Sequence, residues 1–126
     1  MRVLFFGKVT SSIGHRMLDI LEKYFYPENI EIYQSVFTLA ASAKRKRLSK
    51  QIGLFCISDQ EDLYNLILIK YFFEHLHPIL ILPSQDHKLI ALGHKLNPSF
   101  LFFHETDDQL IESVIQMMDK NIKSKF

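Results

Sequence analysis

Short apolar runs alternate with stretches whose apolar residues recur every three or four positions. Val3–Phe6 is an unbroken apolar run and predicts a buried strand. From Ser12 to Phe25 the apolar residues at 13, 17, 20, 21 and 24 form a helical stripe, which Pro27-Glu28-Asn29 breaks. Ile30–Tyr33 alternates as a second strand, and residues 37–49, "FTLAASAKRKRLS", predict a second helix with a basic end. "IGLFCI", 52–57, is apolar without alternation, the pattern of a central strand covered on both faces. Ser58 and Glu61 have capping-box spacing and predict the start of a long helix reaching Leu76. Pro78 ends that segment and opens the strand "PILILP". A fourth helix is expected from Ser84 to Leu96, with Leu89, Leu92 and Leu96 on one side, stopped by Asn97-Pro98. "FLFF", 100–103, predicts a fifth strand. Thr106 and Gln109 repeat the capping-box spacing before a last helix that runs to Ile122, leaving 123–126 as a frayed tail.

Five strands, each followed by a helix, predict a (βα)5 chain. Short connections and right-handed crossovers favour one α/β arrangement, a flavodoxin-like three-layer sandwich with parallel strand order 2-1-3-4-5. Residues 1–122 form one domain in this reading, in keeping with a chain of 126 residues. In such sheets ligands sit at the carboxyl ends of the strands around the switch point. Those ends are the places to look for chemistry.

Composition changes this picture little. Apolar residues make up 48% and charged residues 23%, and the net charge is +1. That balance gives no support to nucleic acid as the partner. The distribution is polar: residues 1–50 carry nine Lys/Arg against four Asp/Glu, and residues 51–126 carry six against ten. Cys56 is the only cysteine, so no disulfide forms within the chain. The beginning of the chain lacks a signal-peptide pattern, and no stretch reaches 18 apolar residues. A cytoplasmic protein without a membrane segment is expected.

Gly7-Lys8 ends the first strand, but the glycines of a nucleotide P-loop or a dinucleotide fingerprint are missing. Thr10, Ser11 and Ser12 stand at a helix start, where hydroxyls either cap the helix or hold an anion. His75, His77, His87 and His94 lack Cys or carboxylate neighbours at metal-ligand spacing, so no metal site is expected. Lys44 to Arg47 suits a helix C-terminus as well as a phosphate contact. In "LYNLILIKYFF", 63–73, apolar residues fall on all sides of a helix. Deep burial and a docking face remain equal readings there, with Tyr64, Tyr71 and Phe72 as the residues to test.

The order of elements resembles the receiver domains of two-component response regulators over nearly the whole chain. That resemblance implies an acidic pair after strand 1, a phospho-accepting Asp ending strand 3, a hydroxyl ending strand 4 and a Lys-Pro ending strand 5. Laid on this sequence, the acidic pair falls on Gly7 and Lys8, the acceptor on Ser58, the hydroxyl on Pro83 and the lysine on Phe103, followed by His104. Asp59 lies one residue beyond the acceptor position. Carboxylates in that family hold Mg²⁺ against the transferring phosphoryl group, and none of these residues supplies them. The resemblance therefore implies a degenerate receiver with no cofactor, no metal and no catalytic residue. It would act on a signalling protein partner or as a homodimer. Its implied contact surface includes His94, Phe100, Phe102 and His104, besides Tyr64, Tyr71 and Phe72. The alternative is a small-anion or nucleotide binder that uses Thr10, Ser11, Ser12, Ser58, Ser84 and His104 in the strand-end crevice.

Overall fold

The computed structural model describes residues 2–45 and 51–124, with side chains described through Ala43 and from Gln51 to Ile122. Five parallel strands lie in the order β2-β1-β3-β4-β5. They are β1 (Val3–Phe6), β2 (Ile30–Tyr33), β3 (Gln51–Cys56), β4 (Leu76–Leu82) and β5 (Phe100–Phe103). The helices are α1 (Ser12–Tyr24), α2 (Val36–Arg45), α3 (Gln60–Leu68), α4 (His87–His94) and α5 (Asp108–Ser124). This is the expected α/β flavodoxin-like fold.

Burial follows strand position. Every residue of β1 and β3 is buried, whereas the edge strands β2 and β5 are mostly half-buried. Alternate residues feed two cores. Val3, Phe5, Leu54 and Cys56 pack on one face with Met17 and Leu21 of α1 and Ile111 and Ile115 of α5. Leu4, Phe6, Phe55 and Leu80 pack on the other with Leu39, Leu63, Leu66 and Leu92 of α2, α3 and α4. Phe55 meets Phe6 at 6.0 Å and Phe73 at 5.5 Å between ring centroids, an aromatic cluster under α3.

Several boundaries differ from the sequence expectations. The helix after β3 does not reach Leu76: α3 ends at Leu68 and a 3-10 turn, Lys70–Phe73, follows. The cap is Asp59, not Ser58, because the Asp59 Oδ1 accepts from the Asp62 amide at 2.9 Å. Strand β4 begins at Leu76, two residues before Pro78, and Pro78 sits inside it opposite Gly53. Ring closure costs Pro78 its N–H but leaves its carbonyl, which accepts from Ser99 at 2.8 Å. Helix α4 starts at His87 with Asp86 as its cap, three residues later than Ser84. At the other end of the chain α5 runs to Ser124, past the expected Ile122. The basic cluster Lys44–Arg47 falls at the edge of the described residues, and nothing of its side chains is described. Among the described residues no helix is long and apolar enough to cross a membrane.

Candidate functional site

The carboxyl edge of the sheet brings together the ends of β1, β3, β4 and β5. Gly7 leaves β1 with φ +152° and donates its amide to the Tyr33 carbonyl at 3.0 Å. A Cβ at this position would lie 2.9 Å from the Cys56 Cβ and 3.2 Å from the Cys56 carbonyl. Backbone conformation and space both require glycine. Position 7 thus carries no side chain, and the Cys56 Cβ and carbonyl together with the Phe5 ring fill the volume one would need.

The turn after it is equally close. Ser11 caps α1: its amide and hydroxyl donate to the Lys8 carbonyl at 3.1 and 2.8 Å, and its Oγ accepts from the Gly14 amide at 3.0 Å. Gly14 is needed because a Cβ there would fall 2.0 Å from the Lys8 oxygen. The Lys8 side chain is exposed. It acts on Asp62, whose carboxyl is held above its ordinary range by partial burial first and by Asp59 next, with Lys8 pulling it down.

At the end of β3 the ladder continues through Ile57, whose amide donates to Ile81 at 2.9 Å. Ser58 follows, half-buried, and Asp59 is committed to capping α3. Cys56 is buried, and burial pushes its thiol far up, so it is no thiolate nucleophile. Pro83 is half-buried and Ser84 exposed at the end of β4.

The end of β5 closes the edge. Phe103 is half-buried against the α2–α4 core, and its amide donates to Thr106 Oγ1 at 2.9 Å. His104, one residue on, is the side chain that reaches the tip of β3. Its Nε2 lies 3.0 Å from the Ile57 carbonyl, which can only accept, so that nitrogen carries the proton. Partial burial lowers the His104 pKa, opposed by the bond to Ile57. Arg16 comes across from α1. Its Nε lies 3.2 and 3.3 Å from the two Asp108 oxygens, and its Nη1 donates to the His104 carbonyl at 3.1 Å. Asp108 holds the Arg16 proton more firmly than usual. The guanidinium, His104, Asp108 and Ile57 thereby tie α1, β3, β5 and α5 into one network.

Arg16 and Asp108 carried no signal in the sequence. Each is an ordinary polar residue near a helix start, and 92 positions separate them. Among the described residues no group of three His, Cys, Asp or Glu is placed to hold a metal ion.

The residues expected to form contact surfaces separate into two kinds. Tyr64 and Tyr71 are exposed, and Leu68, which the sequence reading passed over, joins them at 77%. Phe72 does not belong to that face, because it is half-buried against the α2–α4 core. The stretch 63–73 is split between both readings: Leu63, Leu66 and Phe73 are buried while Tyr64, Leu68 and Tyr71 are not. Near β5, His94 is exposed, but Phe102 is 9% exposed and packs in the α1–α5 core. Phe100 is stacked on Phe102 with centroids 6.1 Å apart. Packing of Phe102 removes it as a contact.

Among the described residues a cavity of about 190 Å³ opens at the opposite, amino-terminal edge of the sheet. Phe73, Leu76, Pro78 and Leu96 wall it, and Lys70, Tyr71, Glu74 and Lys95 also line it.

No family model matches this chain, and no curated protein matches it. Two solved structures share its fold. One is the signal receiver domain of a modulated diguanylate cyclase from Desulfovibrio desulfuricans, with a TM-score of 0.67 and 13% identity over 100% of this chain and 99% of that one. The other is a protein described as pilus assembly-related from Burkholderia pseudomallei, with a TM-score of 0.66 and 6% identity over 93% of this chain and 87% of that one. Strand order, element order and these two neighbours agree: the chain has a receiver-like fold.

Proposed function

We infer that this chain is a signalling module of receiver type that works by protein contact and not by phosphoryl transfer. The observation that carries this reading is Gly7. The first position after β1, where the receiver resemblance asks for an acid, has a backbone only glycine adopts and no room for a Cβ beside Cys56. An acidic metal pocket cannot be rebuilt there by one substitution without moving β3. Three neighbours support the same reading. Lys8 would repel a divalent cation. Asp59 is engaged as a helix cap. The Asp108 carboxylate, an acid near this edge, is engaged by the Arg16 guanidinium, which also donates to the His104 carbonyl.

In this reading the protein is not an enzyme, needs no cofactor, and meets its partner in the cytoplasm. The anion-binding alternative finds less support, since the Ser11 hydroxyl and the His104 Nε2 both donate to the protein's own backbone. The test is intact mass after incubation with Mg²⁺ and acetyl phosphate, beside a receiver that is known to be phosphorylated. The expected result is no added phosphoryl group on this chain. A stoichiometric, base-labile adduct would overturn the reading and would put the acceptor on Asp59 or another carboxylate.

A further inference from the structure

The stretch that links α3 to β4 presents a protrusion and a hollow side by side. Leu68 and Tyr71, three residues apart across the junction of α3 and the 3-10 turn, are 77% and 74% exposed. Tyr64 precedes Leu68 by one helical turn and is also exposed. Tyr71 is at the same time a wall of the amino-edge cavity, whose other apolar walls include Phe73, Leu76 and Leu96. A knob beside a hole on one face is what a two-fold contact between identical chains requires, since each copy must offer both.

Charge gives the second argument. The cavity lining includes Lys70 and Lys95 together with Glu74, and among the described residues these three side chains form no ion pair within the chain. A patch that faces itself needs both signs, and this one has both unpaired. The protein's net charge of +1 adds little repulsion between copies. A fully enclosed aromatic side chain buries about 150–250 Å², and Tyr64 and Tyr71 have half and about three-quarters of their surface open. The two tyrosines alone then supply roughly a quarter to a third of the ~800 Å² per partner that a standard interface buries, and Leu68 and the cavity walls extend the area.

We propose that this face, from Tyr64 to the amino-edge cavity, docks a second copy of the chain. Leu68 and Tyr71 of each copy enter the hollow of the other, and Glu74 meets Lys70 or Lys95 across the two-fold axis. The proposal builds on the contact role argued above and names the partner. Its failure is separable, because the phosphodonor result does not depend on it.

Sedimentation velocity of the whole chain, from about 5 μM to about 500 μM, reads the association directly. A concentration-dependent dimer is expected, weakened at least ~10-fold by Leu68→Glu with Tyr71→Glu. Circular dichroism establishes that this variant, altered only at exposed positions, keeps its fold. Lys70→Glu with Lys95→Glu, and separately Glu74→Lys, should each weaken self-association. Mixing those two variants should restore a dimer. A wild-type chain that stays monomeric throughout, a dimer unaffected by the Leu68 and Tyr71 changes, or an equimolar mixture of charge variants that stays monomeric would each overturn the proposal. So would a rise in association that all variants share.

Discussion

Gly7 is held with its α-carbon against β3, and the consequence reaches beyond the missing acid. Replacement by Ala or Asp meets a φ of +152° and a contact of 2.9 Å with the Cys56 side chain. The unfavourable backbone costs about 1–2 kcal/mol and overpacking about 1–3 kcal/mol more. Urea denaturation of Gly7→Asp should therefore show a loss of roughly 2–5 kcal/mol, with no gain of Mg²⁺ affinity by calorimetry. A stable Gly7→Asp variant would mean that β3 moves aside and that the metal pocket is recoverable. At the same edge His104 gives a pH signature. Its folded pKa lies below the ordinary 6.5, so between the two values the unfolded chain binds more protons. The contribution is present above pH 6.5 and is lost as the pH falls through the folded value. Melting temperature followed from pH 7.5 to 5 should fall more for the wild type than for His104→Gln, which has no imidazole to titrate. Asp62, with its pKa raised from 3.8, contributes in the opposite sense: its stabilising share is complete below pH 3.8 and lost on rising through the folded value. A downward pH scan thus separates the two by sign. Neither Gly7 nor His104 could be judged from sequence. A glycine at a strand end and a histidine after a β-strand are both common, and their meaning comes from Cys56 and Ile57, which lie about fifty positions away.

At the scale of the element, α3 is the informative case. Its sequence reads as capped at Ser58 with Glu61, whereas the helix is capped one residue later, at Asp59. The ladder sets this, because the Ile57 amide still donates to Ile81 and the chain turns only afterwards. The apolar run 63–73 lacks a clear stripe, since Leu and Ile occupy positions on both sides. Packing on the sheet sorts them. Leu66 is fully buried among the α2–α4 core, whereas Leu68 stands in solvent. Leu66→Ala should cost about 2–5 kcal/mol in equilibrium unfolding, and Leu68→Ala within about 0.5 kcal/mol of zero. Equal losses at both positions would place the helix in a different rotation about its axis. Helix α1 was legible by contrast. Of the stripe at 13, 17, 20, 21 and 24, Ile13, Met17, Ile20 and Leu21 are buried and only Tyr24, at its end, is exposed.

Over the whole molecule the sequence reading and the structure agree on architecture and diverge on what occupies the edges. Five apolar runs, each with a helical stretch behind it, leave few ways to cover both faces of a sheet, and the order 2-1-3-4-5 is the one observed. The carboxyl edge, where such folds place their chemistry, is closed by Gly7, Arg16, Asp108 and His104. Other apolar side chains stand in solvent: Phe37 at the start of α2 is 82% exposed, and Leu68 and Tyr71 stand out beside the cavity that Tyr71 lines at the amino-terminal edge.

Sequence by itself determined the number and kind of elements, the two-sided burial of β1 and β3, and the lack of acids after β1. Each of these depends on periodicity or residue type, which are local properties. Tertiary structure alone decided three things. It closed position 7 against Cys56, it carried Arg16 to Asp108 across 92 residues, and it turned Leu68 and Tyr71 outward while burying Leu66 and Phe73. These depend on which distant backbone lies within a few ångströms, and no pattern along the chain encodes that distance.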